Sequence, residues 1–423
     1  MPDRWLRADT VIIGDGTVMA DAAVGIGDDG RIVGVVPARD LDPGQRRRSE
    51  GLGAVTIAPG FIDAHVHLLF SCDTDHERTR RRFVEATDAA LAATGARNAA
   101  ECLLGGVTTV RDLGDTRWIV RDIRDAVAHG LLPGPRILTA GAPLTTRNGH
   151  LNWCGNVADS DAEVRDRVRA LLDGGADAVK IMSSGGNMTR ESDPLTAQFS
   201  AAAIGDAVRL AHAAGRRVAA HSQNAEAIRR CIAAGVDTLE HCLWRDGEGR
   251  PAPSADLVAA LRAGSSTVVI TLAGIARAML PDATGFTAQE AHDARATSPT
   301  GSLAEDFAWA RDVRAAGLPV VVASDAGVRF TPFRRFTDTI RAAVVALGLT
   351  PAEAVTTVTG LAADAIGLSA EVGRLVPGLR ADLTVLDGAD VEHRLGEVVA
   401  VYRDGARVVD HDRVILPDPP PLR

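Results

Sequence analysis

Eight short apolar runs, separated by alanine-rich stretches, constrain the fold of this 423-residue chain more than any other feature. They are Gly60–His67, Val107–Leu113, Arg136–Ala140, Ala176–Met182, Arg217–His221, Val236–His241, Thr267–Leu272 and Pro319–Ser324. The stretches between them, such as Ala201–Ala214 and Ala225–Ala234, read as helices. Several of these helices end at a glycine suited to a C-cap: Gly106, Gly175, Gly215, Gly235 and Gly317. A strand that is apolar along its whole length must be covered on both faces, as in a parallel sheet with helical crossovers. Eight such units predict an α/β fold, a (β/α)8 TIM barrel. The competing open, doubly wound sheet would in its dinucleotide-binding form need a G-x-G-x-x-G after the first strand, and that motif is absent here.

The flanking segments have a different pattern. Short alternating runs punctuated by Asp15-Gly16, Asp29-Gly30 and Asp404-Gly405 read as hairpins. Neither flank has enough apolar faces to stand alone. Residues 1–58 and 370–423 are therefore expected to meet as one small β-sandwich, with 59–369 forming the barrel. The proline-rich tail, 417–423, reads as extended.

The net charge of −9 argues against a nucleic-acid partner, which calls for a basic face. Arg46, Arg47 and Arg48 read as a solvated loop. The five cysteines are odd in number and show no C-x-x-C spacing, which speaks against a disulfide framework. No stretch approaches the ~18 apolar residues of a membrane span, and Met1 to Asp9 has no apolar signal core. The expected location is a reducing cytoplasm.

Barrel enzymes build their sites at the C-terminal ends of strands. The first run ends in His65-Val66-His67, the fifth in His221 and the sixth in His241, and Asp325 follows the eighth. Being one residue apart, His65 and His67 share a face of their strand and offer two corners of a zinc site. The fourth run carries Lys180, the only lysine among 46 Lys and Arg residues. Where arginine supplies every other such cation, a retained lysine points to chemistry a guanidinium cannot perform, since only the amine can shed its proton.

These residues carry a family resemblance. Pro59-Gly60-Phe61-Ile62-Asp63-Ala64-His65-Val66-His67 resembles the opening signature of the amidohydrolase superfamily. Lys180-Ile181-Met182-Ser183-Ser184-Gly185-Gly186, running on to Gln198-Phe199-Ser200, is similar to one metal-dependent branch of it. That branch holds prolidase-like and Xaa-Arg dipeptidases, ochratoxinase-like carboxypeptidases and imidazolonepropionase-related proteins. Ala220-His221, Glu240-His241, Ser324-Asp325-Ala326-Gly327 and Gly378-Leu379-Arg380-Ala381-Asp382-Leu383 continue the match.

The resemblance implies a binuclear metal hydrolase, with zinc the usual ion. His65, His67 and Asp325 would hold the more buried ion, and His221 and His241 the more exposed one. Lys180, carboxylated by carbon dioxide, would bridge them as a carbamate. A metal-bridging hydroxide would attack the carbonyl of an amide, with Asp325 shuttling the proton. The expected substrate is a small molecule or short peptide, and a homo-oligomer is the common assembly among relatives.

His150, in the loop after the third run, is a candidate for catalysis and substrate contact. Arg147, Arg190 and Arg329 are candidates for gripping a substrate carboxylate. Trp244 follows His241 where another gripping group is expected, because the only tyrosine, Tyr402, lies in the C-terminal flank. Cyclic-amide hydrolysis, ring deamination and a non-catalytic scaffold are the alternatives. Asn224, three residues after His221, stands where deaminases of the superfamily carry glutamate, and all six ligand positions are intact. The long segment 274–305 has the length of a lid.

Overall fold

The structure is a computed structural model that describes residues 4–245, 254–272, 274–280, 287–296, 298 and 300–416. The N-terminal segment forms β1 (Arg4–Ile12), β2 (Val18–Ile26), β3 (Ile32–Pro37), β4 (Ser49–Gly51) and β5 (Val55–Pro59). The eight apolar runs fold as β6 (Phe61–Val66), β7 (Val107–Asp112), β8 (Arg136–Thr139), β9 (Ala178–Met182), β10 (Arg217–Asn224), β11 (Thr238–Arg245), β12 (Thr267–Thr271) and β13 (Val320–Ala323). The C-terminal segment adds β14 (Leu383–Asp387), β15 (Val398–Arg403), β16 (Ala406–Asp410) and β17 (Arg413–Val414).

All the pairings among β6 to β13 are parallel, in two arcs ordered β6-β7-β8 and β9-β10-β11-β12-β13. Backbone bonds join the arcs at both edges. Leu144 N–H donates to the Lys180 carbonyl at 2.8 Å, and Met182 N–H to the Leu144 carbonyl at 2.8 Å. On the other side, Asp325 N–H donates to the His65 carbonyl at 2.9 Å, and His67 N–H to the Ala326 carbonyl at 2.8 Å. The fold is an α/β barrel. Every residue of β6, β7, β9 and β13 is buried, as strands enclosed by helices on one side and barrel interior on the other must be.

The helices follow local chemistry. Asp88–Leu104 starts where the Thr87 hydroxyl accepts from Ala90 N–H, and it buries Leu91, Ala99 and Cys102 against the barrel and Leu103 against Val401 and Val409 of the terminal sheet. Ala225–Ala234 ends at Gly235, whose φ of 76° a side chain would resist. The long segment after β12 contains helices Gly274–Ala278, Ala288–Arg295 and Leu303–Asp306. Residues 281–286, 297 and 299 within it, like the tail 417–423, lie outside the described residues.

The two terminal segments meet in one sheet, ordered β17-β16-β15-β14-β5-β1-β2-β3, with β4 on β1. The join is antiparallel pairing of β14 with β5, in register Val385 opposite Ile57. The expected sandwich is one continuous sheet that folds over itself, so Leu6, Val24 and Ile26 share a core with Leu383, Val385 and Tyr402. The Arg4 guanidinium caps that core, 5.2 Å from the Tyr402 ring centre. Arg136 at the start of β8 clamps this sheet to the barrel, bonding Asp382 at 2.8 Å and Asp404 at 3.1 Å. The five cysteines are free thiols. No single helix among the described residues is long and apolar enough to cross a membrane.

Candidate active site

His65 near the end of β6 and His67 just beyond it place their ring centres 5.4 Å apart. Both Nε2 atoms face one carboxylate oxygen: Asp325 Oδ1 lies 3.6 Å from that of His65 and 3.2 Å from that of His67. The ligand atoms of the three residues all fall within 4.8 Å of one another, as around a shared cation. Asp325 Oδ1 is buried without a hydrogen-bond partner. The residue sits in the left-handed region at φ 58°, a conformation costly for a side chain and common at functional sites. Burial pushes the Asp325 carboxyl up, but His65 and His67 outweigh it and hold it well below the usual range.

Asp63 fixes how β6 meets β13. Its carboxylate accepts from Ser324 N–H at 3.0 Å and from the Ser324 hydroxyl, immediately before Asp325. Burial raises the Asp63 carboxyl to about 7.

Lys180 lies mid-strand in β9 and is 1% exposed, with no hydrogen-bond partner for Nζ. Burial lowers its amine to about 8, against the opposing pull of Glu240 and Asp325. The His221 and His241 rings stand 4.6 Å apart, and His241 is 5.0 Å from His65. His221 Nε2 bonds the Gly185 carbonyl at 3.0 Å and His241 Nδ1 the Thr271 hydroxyl at 2.7 Å, so each ring has its other nitrogen to spare. Burial lowers the imidazole of His221 far below its ordinary value and that of His241 to about 4. The neutral imidazoles of His65 and His67 and the orphaned Asp325 oxygen could hold a divalent metal ion, and buried polar atoms are seldom left this way without a ligand.

His150 is 6% exposed, its N–H held by Gln198 Oε1 at 2.9 Å and its ring 4.5 Å from that of His221. Its Nδ1 is buried and unpartnered. Arg329 is half-buried, its guanidinium 5.5 Å from the Phe330 ring centre, and Arg190 is exposed. Arg147 points to solvent and pairs with Asp159 at 2.8 Å. Trp244 lies in the packing layer: it is 0% exposed and its ring centre is 6.5 Å from that of Trp309.

His76 is not among the candidates that the sequence singles out. The structure buries its Nδ1 without a partner, and burial, with Arg329 adding to it, lowers the ring to about 4. Asp325 is close enough to act on it in the opposite sense. Also missed were Arg111 and Glu240, buried behind His65, and Gly114 beneath His67. The only signal for Arg111 was a charge written inside an otherwise apolar run, whereas Glu240 stands in the Glu240-His241 motif without a role of its own.

The amidohydrolase family model matches residues 56–409, which takes in the whole barrel. The chain belongs to the amidohydrolase family. Among curated relatives, ochratoxinase from Aspergillus niger is 30% identical over 270 residues, 57% of this chain and 55% of that protein. The chain thus spans about half the length of that relative in sequence. Imidazolonepropionase from Maricaulis maris is 28% identical over 91% of this chain and 93% of its own. Among solved amidohydrolases, A. niger ochratoxinase superposes with a TM-score of 0.76 at 25% identity, covering 96% of both chains. A prolidase complexed with N-methylphosphonate-L-proline gives 0.76 at 26% identity, covering 96% of this chain and 99% of that one.

Proposed function

We propose that this amidohydrolase cleaves an amide C–N bond in a small molecule or short peptide, at a centre of two divalent metal ions, zinc by preference. His65, His67 and Asp325 would hold one ion and His221 and His241 the other, with Lys180 between them. The barrel, 59–369, is taken as the catalytic unit, supported by the sheet of 1–58 and 370–423.

The observation that carries this reading is the sole lysine ending in a buried, partnerless amine within that ring of ligands. With its amine lowered to about 8, Lys180 has a ready neutral fraction near neutral pH. A neutral amine adds to carbon dioxide: the nitrogen bonds the carbon, a proton leaves to solvent, and an anionic carbamate with two oxygens results. Arginine at this position could not do so.

Bound divalent ions supply polarisation of a carbonyl and activation of water. Asp325 takes the proton of the attacking water and passes it to the leaving nitrogen, so the C–N bond breaks to a carboxylate and an amine. His150, kept neutral by burial, serves as a hydrogen-bonding contact to a substrate oxygen. Arg329, Arg190 and His76 are assigned to an anionic end of the substrate. Arg147, paired with Asp159, and Trp244, enclosed in the core, are left out of the contacts.

A cyclic amide is the second reading, favoured by the likeness to imidazolonepropionase over 91% of this chain. Ring deamination is disfavoured because Asn224 is committed to helix capping, accepting from Ala227 N–H at 2.9 Å. Assays of zinc-loaded protein with N-acyl amino acids, dipeptides and cyclic amides decide between these. Turnover of none of them would overturn amide hydrolysis.

A further inference from the structure

Behind the histidines lies a buried ion pair that the proposed chemistry does not use. Arg111 of β7 is 1% exposed. Its Nε donates to the Ala64 carbonyl at 2.8 Å, one terminal nitrogen to the Thr238 hydroxyl at 3.1 Å, and the other to Glu240 Oε1 at 2.8 Å. Glu240 of β11 is wholly buried; Oε1 also accepts from the Thr238 hydroxyl at 2.6 Å, and Oε2 meets His65 Nδ1 at 2.8 Å. The network spans the barrel interior from one arc to the other.

Such a pair is a poor way to stabilise a core, because desolvating two charges offsets their attraction and well-packed apolar residues usually do as well. Its value lies in what it holds. Among the described residues, His65 is the one ring in the centre backed by a carboxylate. His221 leans on a carbonyl and His241 on a hydroxyl, and His67 Nδ1 has no partner. A carboxylate at Nδ1 fixes the proton there, turns the Nε2 lone pair toward Asp325, and makes the ring a stronger ligand. The Arg111 fork grips Glu240 and the carbonyl preceding His65 together, so one planar group sets both the backbone and the ring of that histidine.

We propose that Arg111 is a positioning residue for the metal centre, acting through Glu240 to lock His65 as an Nε2 ligand. The proposal rests on the metal-site reading above. Glu240→Gln and Arg111→Met test it, with three readouts on purified protein. These are the zinc dissociation constant from chelator competition, the melting temperature of the metal-stripped protein, and the His65 tautomer from 15N NMR of histidine-labelled protein.

Each variant is expected to lose zinc affinity on the order of 10- to 100-fold, and its metal-stripped form to melt below wild type, because the remaining charge is left buried without its partner. In Glu240→Gln the signal of a pure Nδ1–H tautomer gives way to a mixture. Zinc binding within about twofold of wild type in both variants would overturn the proposal. If Arg111→Met does not fold, Glu240→Gln decides alone, since its amide oxygen can still accept from His65. A wild-type protein that takes up no zinc overturns the metal reading itself, whereas tight wild-type binding beside unaffected variants overturns only the role of Arg111.

Discussion

Gly114 lies directly against the imidazole of His67, so close that a Cβ added to it would stand 2.1 Å from Nδ1. The loop cannot easily retreat, because Gly114 N–H is held by Asp112 Oδ1 at 3.1 Å. Gly114→Ala is therefore predicted to push His67 off Asp325. Zinc content should fall and kcat/KM should drop on the order of 100-fold, the usual cost of an ångström-scale misplacement. Full zinc occupancy with unchanged kinetics would contradict this.

Gly186 plays the matching part under His150, where an added Cβ would come within 2.7 Å of the ring. His150 is assigned to substrate and not to metal, so Gly186→Ala should separate the two functions. Zinc content should stay at the wild-type level while kcat/KM falls about tenfold or more. Loss of zinc would move His150 into the ligand set.

Trp244 has no exposed surface and packs on Trp309. Trp244→Phe should lower stability on the order of 1–3 kcal/mol through the volume it deletes, and leave the ranking of substrates as it was. A changed ranking with unchanged melting temperature would return Trp244 to the substrate contacts.

The barrel was legible because continuous apolar runs recur eight times, five of them just after a glycine stop. The proposed ligands could be picked out because each stands within a barrel strand or just after its end. Counting along a strand fails where the backbone leaves the extended region. His241, Cys242 and Trp244 have φ of 63°, 49° and 53°, so alternation does not say which way Trp244 points. Arg111 was hidden for a different reason: in a chain that uses arginine for nearly every cation, a buried one looks like the rest. The support that Gly114 gives His67 is a tertiary contact that no local pattern encodes.

Asp115 gives the metal-stripped protein a pH signature. Its Oδ1 accepts from Thr116 N–H at 2.6 Å and Val120 N–H at 3.1 Å, while Oδ2 is buried and unpartnered. Burial, reinforced by Asp112, raises its carboxyl to about 7. The native state thus binds a proton that the unfolded chain releases near pH ~4, and this group's contribution is fully present below that pH. It is lost as pH rises toward 7, by up to about 1.4 kcal/mol per pH unit. Urea midpoints should therefore fall less between pH 5 and 7 in Asp115→Asn than in wild type. Parallel falls in both proteins would contradict the assignment.

Zinc counted per folded chain, after loading with bicarbonate present, tests the central claim most directly when wild type is set beside Lys180→Ala. The account predicts about two ions in wild type and at most about one in the variant, with amide hydrolysis abolished. Equal zinc and equal turnover in the two proteins would contradict it.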